Sequence, residues 1–280
     1  MAFKILVPTD FSLTSEKALR YALDIASRCN GVVYLLHVHS PLESPFIETV
    51  EIREDYNIEV QQELMAKLHT LRSKWQEEYS NVEIIVALAR SPLVHSIISF
   101  SQNNAVDLIV MGTQGTSGIR KVIIGTIAVR ILEKATLPLL LIPERFEWRI
   151  PNKIIIATDA QSKDHLPLTF VAQLAEMYLA ATEVIQISEP GEDNITKNTD
   201  LKKYIDQQKH KFPNLHLTSA CIPAYSVIDT LEKLHEIHPY DLLVMIRHKK
   251  TILQRFYLES FTKHMAYLTW HPLLIVPQKD

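Results

Sequence analysis

Glycine is scarce in this chain, six in 280 residues, and cysteine scarcer still, with Cys29 and Cys221 alone. The two cysteines stand in no CxxC or metal-like spacing. That argues against a disulfide framework or a thiolate metal site, fits a reducing compartment, and leaves both as packing residues. An excess of charge of either sign is also lacking: 29 Lys and Arg face 32 Asp and Glu, a formal net charge of −3. Such a balance gives no basic footprint for DNA or RNA. No apolar run approaches the roughly 18 residues needed to span a bilayer, and the opening MAFKILVPTD is too short in its apolar part for a signal peptide. The expectation is a cytoplasmic protein that engages neither nucleic acid nor membrane. What is plentiful is apolar residue, 47%, enough to bury sizeable cores in two domains of ordinary size.

The chain repeats itself. KILVPTDFS (4–12) is answered by KIIIATDAQS (153–162), DLIVM (107–111) by DLLVM (241–245), and LPLLLIP (137–143) by HPLLIVP (271–277). An internal match of this kind changes how every motif is read. We expect two domains, 1–145 and 151–280, joined by the charged, proline-closed segment ERFEWRIPN (144–152).

Within the first copy, short Val/Ile/Leu runs alternate with segments of helical period. KILVP, VVYLLHV (32–38), VEIIVALA (82–89), DLIVMG and LPLLLIP read as strands, and 15–29, 60–79, 93–103 and 126–135 as helices. The second copy offers IIIAT, TEVIQIS, LHLTSACI, DLLVMI and PLLIVP as its strands. Nearly continuous apolar strands imply a sheet buried on both faces, as parallel sheets with crossover helices require. The fold class is therefore α/β: two tandem domains, each an open five-stranded parallel sheet with helices on both faces, Rossmann-like. The segment SPLESPFIETVEIREDYN (40–57), with its prolines and acids, reads as a mobile excursion over the sheet edge.

Four of the six glycines, Gly112, Gly115, Gly118 and Gly125, fall within MGTQGTSGIRKVIIGT (111–126). In an open α/β sheet a ligand sits beyond the carboxyl ends of the strands where their order reverses. PTDFS (8–12) and GTQGTSG (112–118) both leave such ends, and they meet if the first and fourth strands are neighbours. Glycines let main-chain N–H groups turn inward as an anion nest, and Gly125 and Thr126 open a helix whose free N–H groups favour phosphate. The physical reading is a phosphate cradle with the Asp10 carboxylate across from it. It is neither a P-loop nor the dinucleotide fingerprint, since the spacing is G-x-x-G-x-x-G with no G-K-[ST]. A long turn made for structural reasons is the alternative.

The arrangement G-x2-G-x9-G-[ST], filled by Gly112, Gly115, Gly125 and Thr126 after DLIVM, together with ILVPTD at the start, resembles the universal stress protein family in its tandem form. The complete glycine spacing is similar to that of the members that bind ATP. The resemblance implies a fold akin to the adenine nucleotide alpha hydrolases and a nucleotide held by the first domain. Pro8, Thr9 and Asp10 would lie along adenine and ribose, and Val38 would pack on the base. Met111 and Gly112 would sit at the ribose, with Gly115, Gly125, Thr126 and Ile127 on the phosphates. Phe11 stands where the family often has glycine, and Gln114 where histidine is frequent. The ligand implied is ATP, with or without Mg²⁺, or else ADP or AMP. The implied assembly is an intrachain pseudo-dimer through LPLLLIP and PLLIVP, with a homodimer as an option, and the nucleotide state would be signalled to a protein partner.

Aligned on DLLVM, the second copy has Ile246, Lys249 and Glu259 in place of the three glycines, and only Ser260 keeps its character. Side chains there block close main-chain approach, and a carboxylate at a helix start repels phosphate. This half is expected not to bind ATP. Since the same pattern persists without the glycines, folding is not expected to demand them. The cluster RHKK (247–250) reads as a solvated loop or as a site for a different anion or a partner's acidic surface, and a loop packed shut by Ile246 would sink the binding readings. His37 and His39, at the end of one strand, lack a sure third metal ligand. His235 and His238 read as exposed helix-end residues, and Arg120 and Lys121 as loop residues within reach of a terminal phosphate. No general base for water attack on a γ-phosphate is evident, so binding is favoured over turnover. A slow ATPase or phosphotransferase and a nucleotide-independent scaffold are the alternatives.

Overall fold

The computed structural model of the chain describes residues 2–43, 49–113, 126–159, 166, 168–188, 194–247 and 271–277. By compactness the chain divides into two units, the first running to Leu139 and the second from Leu140. The first repeat contains β1 (Lys4–Pro8), α1 (Leu13–Cys29), β2 (Val32–His39), α2 (Val50–Gln76), β3 (Glu83–Arg90), α3 (Leu93–Asn103), β4 (Leu108–Gly112), α4 (Thr126–Lys134) and β5 (Leu139–Ile142). The second contains β6 (Lys153–Asp159), α5 (Leu168–Tyr178), β7 (Ala181–Ser188), α6 (Asn194–Lys211), β8 (Leu217–Pro223), α7 (Val227–Ile237), β9 (Leu242–Arg247) and β10 (Leu273–Pro277). Strand order is β3-β2-β1-β4-β5 in the first repeat and β8-β7-β6-β9-β10 in the second. β1 pairs in parallel with β2 and β4, and β6 likewise with β7 and β9.

The unbroken apolar runs form these central strands because both faces are covered. Ile5, Leu6 and Val7 in β1 and Leu108, Ile109 and Val110 in β4 are all 0% exposed. Each fully buried side chain of this size contributes roughly 1.5–3 kcal/mol. α1 covers one face with Ala18, Leu19, Ala22, Leu23 and Ala26, all buried. Its ends are fixed locally: the Ser12 hydroxyl accepts from the Ser15 amide, and Asn30 closes the helix in the left-handed region, the usual chemistry of such caps.

The repeated aspartate of DLIVM and DLLVM has a shared structural task. Asp107 Oδ2 accepts from the Lys4 amide at 2.9 Å. Asp241 Oδ2 accepts from the amides of Asn152 and Lys153 at 2.9 and 3.0 Å. Each carboxylate thus ties the approach to the outgoing central strand to the start of the first strand of its repeat. The match between the copies in this segment is explained by register rather than by chemistry at a site.

The mobile excursion expected over 40–57 does not hold from Val50 onward, because α2 begins there, ahead of the apolar period that starts at Val60. Its acids are a solvent face: Glu51, Glu54 and Asp55 are exposed, and a carboxylate in the first turn suits the positive end of a helix. The incoming chain is tied down as well. Asn57 accepts from the Leu42 amide at 2.8 Å and donates to the Leu42 carbonyl at 3.1 Å. Residues 44–48 of the same stretch lie outside the described residues.

Candidate functional site

The site is positioned by the reversal of strand order. From β1 the chain steps through α1 to β2 on one side, and β4 lies against the other side of β1, with Ile5 opposite Leu108 and Leu6 opposite Ile109. The loop after β1 and the end of β4 therefore meet at one place, where a ligand of an open α/β sheet binds. Closeness is set by Gly112. A Cβ added there would stand 2.6 Å from Thr14 Cγ2 and 3.1 Å from the Thr14 carbonyl carbon, so a glycine is needed for α1 to start against the strand end.

The loop after β1 is stiff. Thr9 is 6% exposed and its polar atoms are turned inward: its amide donates to the Leu36 carbonyl at 2.8 Å, and its hydroxyl oxygen accepts from the Phe11 amide at 3.0 Å. The same hydroxyl lies 3.0 Å from Ser15 Oγ. Asp10 is half-buried. Its Oδ1 accepts from the Ser12 amide at 3.1 Å and from the Ser12 hydroxyl, an Asx turn that fixes the direction of the carboxylate. Thr9 is thus a framework residue by its contacts, whereas Asp10 is held in place at the strand end.

Phe11 of this loop packs against His37 of β2, a contact that the sequence does not state. Phe11 has φ of +62°, a conformation that glycine takes freely and that costs other residues roughly 1–2 kcal/mol. Its ring lies 4.7 Å from that of His37. His37 Nδ1 is 2.8 Å from the Thr9 carbonyl; because a carbonyl only accepts, Nδ1 carries the proton. The signal available in the sequence is the residue type itself, an aromatic directly after the aspartate of PTD. His39, on the same face two residues on, is 7% exposed, and its Nδ1 meets no hydrogen-bond partner among the described residues. Burial first, then the neighbouring His37 and Arg90, hold its pKa below the usual imidazole value. Among the described residues no three His, Cys, Asp or Glu side chains converge as a metal site.

The remaining expected contacts are distributed as follows. Pro8, Val38 and Gly112 are half-buried at the strand ends, and Met111 is 7% exposed. α4 opens with Thr126, exposed, and Ile127, half-buried, and the first N–H groups of a helix lack acceptors within it. Gly115, Gly118, Gly125, Gln114, Arg120 and Lys121 lie outside the described residues. A cavity of about 580 Å³ beside α2, lined by Arg72, Gln76 and Asn81, adjoins the amino end of β3 and not the carboxyl ends of β1 and β4.

In the second repeat the place of Gly112 belongs to Ile246, which is 2% exposed. The strand end there carries a buried side chain, while residues 248–250 of the RHKK segment lie outside the described residues. Lys249, Glu259 and Ser260 lie outside the described residues. The expectation that folding has no need of the glycines is corrected at position 112, where Thr14 leaves no room for a Cβ. The expectation that His235 and His238 are exposed is also corrected. Both are half-buried; His235 stacks on His271, and His238 Nδ1 lies 3.4 Å from Glu183 Oε2.

Comparison with known proteins agrees with this architecture. The chain is 29% identical over 144 residues to a universal stress protein of Methanocaldococcus jannaschii, a match covering 50% of this chain and 81% of that protein. The solved structure of a universal stress protein from Archaeoglobus fulgidus superposes over 99% of this chain and 97% of its own, with a TM-score of 0.71 at 16% identity. A second, from Pseudomonas aeruginosa, covers 99% of this chain and 94% of its own with a TM-score of 0.65, also at 16% identity. At that identity the likeness concerns the fold, and it runs through both repeats. No helix among the described residues is long and apolar enough to cross a membrane. The family model of the universal stress proteins matches residues 1–143, and the chain belongs to the universal stress protein family.

Proposed function

We propose that this protein binds an adenine nucleotide in its first domain and reports the bound state to a protein partner as part of a stress response. The ligand is ATP, with or without Mg²⁺, with ADP and AMP as its near alternatives. In this reading the domains are 1–145 and 151–280, and the second is a structural or regulatory copy that holds no ATP. The observation that carries the proposal is the meeting of the β1 loop and the end of β4 at the reversal of strand order, the place where α/β sheets take ligands. The donor set fits a nucleotide. A fixed Asp10 carboxylate suits ribose or base hydroxyl and amino groups, half-buried Val38 suits an apolar base face, and the opening turn of α4 suits phosphate. Bound ATP would bring its own phosphate charge, and the main-chain N–H groups of the 112–127 segment would hold it.

The test is twofold. Freshly purified protein is denatured and the released small molecules are identified, and ATP binding is then measured by titration calorimetry for wild type and Gly115→Val. One adenine nucleotide per chain is expected, or one-site uptake of ATP, with Gly115→Val weakening it about a hundredfold or more, roughly 3 kcal/mol. Protein that is empty and refuses added ATP overturns the proposal.

A further inference from the structure

At the amino end of the second sheet, away from the strand ends considered above, four segments converge. They bring together Arg149 ahead of β6, His235 near the end of α7, Tyr240 between α7 and β9, and His271 ahead of β10. The rings of His235 and His271 lie 3.9 Å apart, tilted by 31°. The Tyr240 ring stands 5.2 Å from His235 and 5.0 Å from His271, and Tyr240 is 4% exposed. Burial pushes its phenol far up, to a range where it does not ionise.

Hydrogen bonding sets the protonation of both imidazoles. The Tyr240 amide donates to His235 Nδ1 at 3.3 Å. Arg149 Nη2 lies 3.3 Å from His271 Nδ1, and a guanidinium can only donate. Both Nδ1 atoms are therefore acceptors, which makes both rings neutral with the proton on Nε2. An added proton has to go to Nδ1, where it faces a donor and removes the bond. At His271 the Arg149 guanidinium opposes the new charge. The nearby carboxylate, Asp241, is already engaged by Arg149 Nε at 2.9 Å and by the two amides at the start of β6. Beyond it, Glu183 is shared between Lys153 and His238.

The first repeat supplies the comparison. Aligned on Asp107 and Asp241, the places of His235, Tyr240 and His271 are taken by Ser101, Val106 and Leu137. There the Val106 amide closes onto the Ser101 carbonyl at 2.9 Å, the same five-residue span that Tyr240 closes onto a ring nitrogen. The fold requires this closure but not a titratable acceptor in it.

We propose that His271, stacked on His235, is a proton-responsive latch: neutral, its ring holds the starts of β6, β9 and β10 to the end of α7, and protonated it releases them. The sign follows from the ring environment. Burial, then His235 and Arg149, lower the His271 pKa from 6.5 to about 4, against a smaller opposing effect of Asp241. Between those values the unfolded chain binds more protons, so the latch is at full strength above about pH 6.5 and weakens as pH falls toward 4.

The experiment uses the full chain. Amide exchange of β9 and β10 and urea unfolding are followed from pH 7.5 to 4.5 for wild type, His271→Leu and His235→Ser, which carry the residues of the first repeat. Wild type is expected to lose on the order of a hundredfold in protection across the window, while His271→Leu loses less than tenfold. The His271 ring is also titrated by NMR in the wild type, a reading that does not depend on the variants folding. An equal pH response in the variants, or a His271 ring titrating near its ordinary value, overturns the proposal.

Discussion

Gly112 and Ile246 occupy the same point of two copies of one fold, and the two residues settle it in opposite ways. In the first repeat the strand end lies so close to Thr14 that a Cβ would be only 2.6 Å from it. In the second the same point is filled by a side chain with 2% exposure. One copy thus keeps bare backbone at the carboxyl end of β4, packed against Thr14, and the other sets a buried hydrocarbon side chain at the same point. The lesson is that a glycine can serve packing and a site together: bare backbone beside α1 brings the β1 loop and the end of β4 into one locus. The absence of such glycines from the second repeat reports a different way of filling the place, and not a fold indifferent to it.

The comparison is tested most severely by Ile246→Ala. Removing a buried Ile side chain should leave a cavity and cost about 2–5 kcal/mol, read as a drop in the urea midpoint of the second unit with unchanged slope. A cost below 0.5 kcal/mol on the order of a surface substitution would show that Ile246 does not fill the strand end. Next is Gly112→Ala, expected to cost about 1–3 kcal/mol through crowding. Thr14→Ser in the same chain should recover part of it, because the Cγ2 nearest the new methyl is gone. The double-mutant cycle should give a coupling of at least ~0.5 kcal/mol, and strict additivity would break the packing account. The smallest contrast is between Asp241→Ala and Asp107→Ala. The first leaves two amides and Arg149 without their acceptor and the second one amide, so Asp241→Ala should be the more destabilising by roughly 1 kcal/mol, measured by thermal unfolding of each variant.

Much of the fold was legible beforehand, for a local reason. Alternation of apolar runs with helical periods is written in neighbouring residues, so the strands fall within a residue or two of their expected bounds and α3 (Leu93–Asn103) is met at both ends. The start of α2 was missed because its first turns carry acids and exposed apolar residues such as Ile52 and Tyr56 instead of a buried stripe. The candidate site was legible as a pair of segments, PTDFS and MGTQG. Their meeting depended on β1 lying beside β4, which no single segment states.

What the sequence by itself determined is the duplication, the α/β class and the asymmetry between the glycine-bearing and glycine-free copies, since composition and period act within a few residues. Tertiary structure alone decided the tasks of Asp107, Gly112 and His235. Each acts on a partner far away in the chain, Lys4, Thr14 and His271, and only the folded sheet brings those groups within hydrogen-bond or van der Waals distance.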